Sequence, residues 1–240
     1  VGATTLIYEG VTTYPSPERL FKIIQENKIE VLYTAPTAIR IFALEAEKYA
    51  KKYKLNSLKV LGTVGEPIDE EAWLWYFNNI GKGRCPVIDT WWQTETGGTL
   101  INSLAGVGPF VPTFAGKSFP GTKHEIVNNK GRRVKNGKPG FLVQIPPYAP
   151  GMLRGVWKNE KRYNKYFKNN VYFTGDNAFR KADEFRILGR ADDIIKVAGH
   201  RLSTAEIENI VTSHPSVSES AVVSKPDKIK GEAIVIFIKL

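Results

Sequence analysis

Cysteine is nearly absent from this chain. Cys85 is the one cysteine in 240 residues, so neither an internal disulfide framework nor a multi-cysteine metal site can form within it. That usage fits a reducing compartment, the cytoplasm. Histidine is scarce as well: His124, His200 and His214 are too scattered for their spacing to mark a metal cluster. No apolar run approaches the length of a transmembrane helix, and no stretch has the pattern of a signal peptide. Also missing is a cluster of basic residues interleaved with aromatics, which a nucleic-acid platform would need. The net charge of +10 is spread instead over helix faces (Lys48, Lys51, Lys52, Lys54) and over turns between Lys130 and Lys138. A solvated surface accounts for it and an anionic small ligand is compatible with it. Neither nucleic acid nor a membrane is expected as a partner.

Hydrophobic residues make up 42% of the chain, enough for a real core. Residues 1–105 read as alternating strand and helix. Strands are expected over 3–8, 31–35, 58–62 and 86–90. Helices are expected to open at Ser16-Pro17, at Pro36, where Ile39, Phe42, Ala43, Ala46 and Ala50 recur at helical spacing, and at Asp69, running to about Asn79. That alternation predicts a layered α/β unit with a mostly parallel sheet. Between 106 and 191 short β-like runs are separated by Pro-Gly, Asn-Asn and Asn-Gly turns, which predicts a mainly antiparallel, barrel-like β subdomain. From about Asp192 onward, a short strand, a helix opened by Ser203-Thr-Ala-Glu206 and two further strands predict the start of a small α+β domain. Strand-like sequence at both ends predicts a piece of a longer protein.

The stretch from Asp89 to Gly98, Asp-Thr-Trp-Trp-Gln-Thr-Glu-Thr-Gly-Gly, sets an aromatic wall, hydroxyls, a carboxylate and flexible glycines at the end of a strand. Those are the parts of a small-molecule pocket at a sheet's carboxyl edge. Trp91 by itself would read as packing. Three other stretches flank it in order: Tyr33-Thr-Ala-Pro-Thr-Ala-Ile-Arg40, Gly65-Glu-Pro67, and Thr174-Gly-Asp176 followed by Gly189-Arg-Ala-Asp-Asp-Ile-Ile-Lys-Val-Ala-Gly-His-Arg-Leu202. Gly65-Glu66-Pro67 alone would be a turn, and Glu95 alone a surface acid.

Together the four stretches resemble the adenylate-forming superfamily of acyl-CoA synthetases, luciferases and peptide-synthetase adenylation domains. Their particular forms look most like its acetate-activating branch. The resemblance implies ATP-dependent activation of a carboxylate and transfer of the acyl group to coenzyme A, with ATP/AMP, magnesium and coenzyme A as ligands. It implies a large amino-side domain, whose carboxyl-side part is residues 1–191, and a small lid from 192 with its hinge at Asp192. Residue by residue, it assigns the nucleotide to Gly65, Glu66, Pro67, Asp89, Thr90, Trp91, Gln93, Thr94, Asp176, Arg190 and Arg201. Asp176 takes the ribose diol, which suits a carboxylate with two acceptor oxygens. Glu95 holds magnesium and, with Arg201, takes part in catalysis. Val64, Thr90 and Trp92 are assigned to the acid pocket, where a bulky indole leaves room for a very short acyl chain. Ala35, Ala198 and Gly199 are assigned to coenzyme A, and His214 with the backbone of Val217 to a secondary metal. The superfamily's phosphate loop and its carboxyl-terminal lysine fall outside this stretch, so the 240 residues alone are expected not to make acyl-adenylate at a useful rate. Competing readings are a propionate or 3-hydroxypropionate ligase and a non-catalytic nucleotide-binding remnant or half of a split enzyme.

Overall fold

The structure, a computed structural model, describes residues 2–191, 194–197, 200–214, 216–227 and 231–240. It divides into two compact units, Val1–Ile88 and Asp89–Leu240.

The first unit alternates helix and strand as the periodicity predicts. It runs α1 (Arg19–Glu26), β1 (Val31–Thr34), α2 (Pro36–Glu45), α3 (Glu47–Lys52), β2 (Val60–Thr63) and α4 (Glu70–Trp75), and then leads into β3 (Val87–Trp91). β1 and β2 pair in parallel, Val31 opposite Val60 and Thr34 opposite Thr63. Leu61 N–H donates to the Pro86 carbonyl at 3.0 Å, which sets β2 beside the entry to β3. α1 buries Phe21 and Ile24, three residues apart on one face. Phe21 meets Phe42 of α2 with ring centroids 6.0 Å apart. Asp69 caps α4, its carboxylate accepting from the Ala72 N–H at 2.8 Å.

Four details depart from the sequence expectation. Residues 3–8 form no strand: Ile7 is 86% exposed, and an extended run holds as a strand only when another strand supplies its hydrogen bonds. α1 begins at Arg19 rather than at Pro17, with Ser16 accepting from the Glu18 N–H. The helix opened by Pro36 breaks at Ala46, whose φ of −125° leaves the helical region, yet Ala46 and Ala50 both stay buried. The helix at Asp69 does reach Ile80, but its last five residues, Tyr76–Ile80, coil as a π-helix.

The second unit is mainly β, as expected. β3 pairs antiparallel with β4 (Ile101–Asn102), which pairs with β5 (Lys117–Ser118). β6 (Lys123–Val127), β7 (Gly140–Ile145), β9 (Val171–Lys181) and β10 (Glu184–Arg190) form an antiparallel sheet of order β10-β9-β7-β6, and β8 (Phe167–Lys168) pairs with β9. The strand order is open, and a bridge from Gly116 to Phe185 carries β10 back towards β5. One short helix, α5 (Glu160–Tyr166), precedes β8. Trp91, Leu100, Ile101, Ile126, Leu142, Met152, Tyr172 and Phe185 share its apolar core. The last segment forms its own sheet of order β12-β11-β14-β13 from β11 (Ile194–Val197), β12 (His200–Ser203), β13 (Glu219–Asp227) and β14 (Gly231–Lys239). Its helix α6 (Thr204–Thr212) is tied to β13 by Glu208, whose carboxylate accepts from the Val222 N–H at 2.7 Å.

Candidate active site

The middle of the second unit is a buried carboxylate. β9 alternates its side chains, so Tyr172, Thr174 and Asp176 share the covered face. Thr174 donates to the Leu142 carbonyl at 2.8 Å and accepts from the Asp176 N–H at 3.0 Å, which fixes the strand where Asp176 emerges. Asp176 is 5% exposed. A charge at that depth is stable only with partners. Trp91 Nε1 and Gln93 Nε2 each donate to Oδ2 at 2.8 Å, and Arg190 approaches Oδ1 at 3.4 Å. Gly175 has a φ of +76°, and a Cβ there would sit 2.7 Å from the Arg190 guanidinium. Glycine therefore lets the arginine lie flat against the strand beside the carboxylate.

Gln93 is held at every polar atom. Its Nε2 also donates to the Thr174 carbonyl at 2.9 Å, and its Oε1 accepts from the Tyr172 hydroxyl at 2.7 Å. Burial, with Glu95, Tyr166 and Asp176 nearby, pushes the Tyr172 phenol well up, so it stays protonated and remains a donor. Gln93 also opens a single 3₁₀ turn, Thr94–Thr96, through reciprocal bonds with Thr96. That turn carries Glu95, which is half-buried and accepts from the Tyr166 hydroxyl at 2.6 Å. Gly97 closes the turn in the left-handed region at φ +69°, where any Cβ would run into the Gly151 carbonyl oxygen. The two tryptophans divide: Trp91 is 7% exposed and positions Asp176, whereas Trp92 is 43% exposed. Asp89 is buried in β3, Thr90 is half-buried opposite Asn102, and Thr94 is exposed.

The first unit holds its own set. Val64, Gly65, Glu66 and Pro67 form the loop between β2 and α4. The Glu66 carboxylate accepts from the Thr37 N–H at 2.7 Å and the Thr37 hydroxyl, both at the start of α2. Arg40, one turn along α2, reaches Glu66 at 3.0 Å and Asp69 at 2.8 Å. A planar guanidinium can span two carboxylates in this way, which a lysine cannot. Ala35 caps α2 in an extended conformation. These pairs are about a third exposed, so screening limits them to about 1 kcal/mol. Arg40→Ala is expected to speed amide exchange in the loop at Val64–Ile68 by about fivefold, with Arg40→Lys only partly restoring protection. Unchanged exchange in Arg40→Ala would show that the loop does not depend on this arginine.

Asp192, Ala198 and Gly199 lie outside the described residues. Arg201 lies in β12 opposite Lys196, and its side chain is not among those described. His214 is exposed, and its Nδ1 accepts from the Ser216 N–H at 3.2 Å while the Val217 N–H donates to its carbonyl at 2.9 Å. Among the described residues no group of three or more His, Cys, Asp and Glu side chains is placed to hold a metal ion, and no helix is long and apolar enough to cross a membrane. Sequence reasoning missed Tyr166, Tyr172, Thr37 and Arg40. Tyr172 alone left a signal, since it stands two and four residues before Thr174 and Asp176 on one strand face.

Residues 1–157 match the family described as AMP-binding enzyme, and residues 206–240 match the AMP-binding enzyme C-terminal domain. The chain belongs to the AMP-binding enzyme family. It is 49% identical over 248 residues to the acetyl-coenzyme A synthetase of Wolinella succinogenes, covering 100% of this chain and 38% of that protein. It is 46% identical over 245 residues to the acetyl-coenzyme A synthetase of Chromobacterium violaceum, of which it covers 37%. The chain thus spans well under half the length of these relatives. Among solved structures, the anthranilate CoA ligase AuaEII in complex with anthranoyl-AMP superposes with a TM-score of 0.83 at 25% identity, over 99% of this chain and 44% of that one.

Proposed function

We propose that the protein is an AMP-forming acid–thiol ligase of the cytoplasm that activates acetate. The acetate carboxylate attacks the α-phosphorus of ATP and pyrophosphate leaves. The coenzyme A thiol then attacks the carbonyl carbon of acetyl-AMP, and AMP leaves with the oxygen it gained. The observation that carries this reading is the buried Asp176 carboxylate, held by Trp91 and Gln93 beside Arg190. Preorganised by neutral donors, it suits the two hydroxyls of a ribose. Its place in an AMP-binding family and the 45–49% identity to acetyl-coenzyme A synthetases support the same assignment.

The remaining roles are carried over from the family resemblance. Arg190 is assigned to the ribose and phosphate, and the backbone of Gly65–Pro67 to adenine, since the Glu66 side chain is engaged by Thr37 and Arg40. Arg201 is assigned to the α-phosphate. Glu95, a half-buried carboxylate oriented by Tyr166, fits magnesium carried on the nucleotide, because that ion takes one or two carboxylates and completes its shell with phosphate oxygens and water. Bound there, the ion would neutralise charge on the phosphates. Residues 192–240 are assigned to the lid, hinged at Asp192, with Ala198, Gly199 and Ala35 to coenzyme A.

Trp92 is assigned to the end wall of the acid pocket. The test compares non-hydrolysable acetyl- and butyryl-adenylate analogues. The chain is expected to prefer the acetyl analogue, and Trp92→Gly to shrink that preference by about tenfold, given about 1–3 kcal/mol for each methylene in a tight pocket. A preference that Trp92→Gly leaves intact would remove Trp92 from the pocket. Equal affinity of the unaltered chain for both analogues would remove acetate as the substrate. The propionyl analogue, run alongside, separates acetate from propionate.

A further inference from the structure

We propose that Arg40 is a positioning residue for base recognition: it clamps the loop between β2 and α4 at two points and holds it in the conformation that receives a purine ring. This inference deepens the assignment of the Gly65–Pro67 backbone to adenine and rests on it. It starts from a helix that the local sequence leaves uncapped. The N-cap of α2 is Ala35, whose side chain cannot accept a hydrogen bond, and Pro36 follows with no N–H to offer. Thr37 therefore carries the first free N–H of the helix. Glu66, 29 residues further on, supplies the missing acceptor: its Oε1 takes both the N–H and the hydroxyl of Thr37. A negative charge there also suits the positive end of the helix dipole.

The far end of the same loop caps the next helix. Asp69 Oδ1 accepts from the Ala72 N–H at 2.8 Å. Arg40 joins the two caps, its Nη2 donating to Glu66 Oε1 at 3.0 Å and its Nη1 to Asp69 Oδ2 at 2.8 Å. One guanidinium thus pins the chain on both sides of Pro67 and Ile68, and Ile68 is itself buried. Gly65, just before the clamp, is different: its φ is +99°, and a Cβ there would meet nothing within 4 Å. Its backbone is left uncovered, as close approach of a ligand requires. A loop already held in its binding conformation pays no ordering cost when the ligand arrives, whereas a released loop binds only for the fraction of time it is competent. Arg40 therefore acts on affinity without touching the ligand. Lysine cannot replace it, because an ammonium is a point charge and lacks the fork that reaches two carboxylates.

The test titrates AMP and ribose 5-phosphate, followed by NMR, into the whole chain and into its Arg40→Ala and Arg40→Lys variants, with a melting curve for each. AMP affinity is expected to fall by about fivefold in Arg40→Ala and by less in Arg40→Lys. Ribose 5-phosphate keeps the hydroxyls and phosphate assigned to Asp176 and Arg190 but has no base, so it is expected to bind all three chains equally. A general structural role would weaken both ligands together. AMP affinity unchanged in Arg40→Ala, or AMP and ribose 5-phosphate weakened there by the same factor, overturns the role of Arg40 and leaves the nucleotide reading standing. Should Arg40→Ala fail to fold, Arg40→Lys decides by the same comparison. A parent chain that binds ribose 5-phosphate as tightly as AMP removes adenine from the loop and the proposal with it. A parent chain that binds neither removes the nucleotide reading as well.

Discussion

Asp176→Ala is expected to weaken AMP binding by about a hundredfold or more, because each hydrogen bond to a buried carboxylate is worth about 1.5–3 kcal/mol and a ribose diol makes two. The loss has two sources. The ribose hydroxyls lose their acceptor. Trp91 Nε1 and Gln93 Nε2 lose theirs as well, leaving buried donors without the partner at 2.8 Å that holds them in place. The second source also lowers stability, so Asp176→Asn is the companion variant: it keeps the volume and one acceptor oxygen. Calorimetric titration of AMP and of a non-hydrolysable acetyl-adenylate analogue measures the outcome, with a melting curve for each chain. Saturable binding in the parent that is lost in Asp176→Ala, with Asp176→Asn still folded and weakened, is the expected result. Equal AMP affinity in the parent and Asp176→Ala chains would remove Asp176 from the ribose.

The second large effect is on stability. His124 is 3% exposed, with its Nδ1 against the Ser118 hydroxyl at 2.9 Å. Its ring packs edge-on between Trp91 and Phe185, at 5.7 and 6.2 Å between centroids. Among the described residues its Nε2 has no hydrogen-bond partner. Burial pushes the imidazole down from its ordinary 6.5 to about 4, because nothing around it compensates a positive charge. The unfolded chain takes up a proton near pH 6.5 and the folded chain resists until about pH 4. Stability from this group is therefore complete above pH 6.5 and is lost as pH falls towards 4, by about 3 kcal/mol in all. His124→Phe keeps an aromatic ring between Trp91 and Phe185 and cannot titrate. Urea unfolding at pH 7.5, 5.5 and 4.5 is expected to show the parent losing about 2.5 kcal/mol more than His124→Phe over that range. Parallel losses in the two chains would mean that the buried ring already titrates normally.

Much of the fold was legible because helix and strand periods are local. Phe21 and Ile24, or Ile39 and Phe42, mark a buried helix face whatever lies against it. The early run at residues 3–8 was misread for the same reason: its composition suits a strand, but a strand exists only with a neighbour. The break at Ala46 and the π-helical end of α4 also left no mark, since alanine and aromatic residues are at home in an uninterrupted helix.

For the site, the chemistry of single residues came from the sequence. Asp176 after Thr-Gly, Glu95 and Gln93 beside paired tryptophans, and Gly-Glu-Pro after a strand each name a residue type suited to a nucleotide pocket, and together they pointed to the family. Only tertiary structure decided which partners each one has. Trp91 and Trp92 are adjacent and identical, yet Trp91 is buried at the end of β3 with its Nε1 on the Asp176 carboxylate, whereas Trp92, one residue past the strand, is 43% exposed, because the packing of the folded chain covers the first ring and not the second. Tyr172 supports Gln93 across 79 residues, Tyr166 supports Glu95 across 71, and Arg40 ties Glu66 to Asp69 from a different helix. A side chain recruited over such separations carries no local signature: hydrogen bonds depend on distances that the folded sheet sets, and many sequences can place a tyrosine or an arginine there.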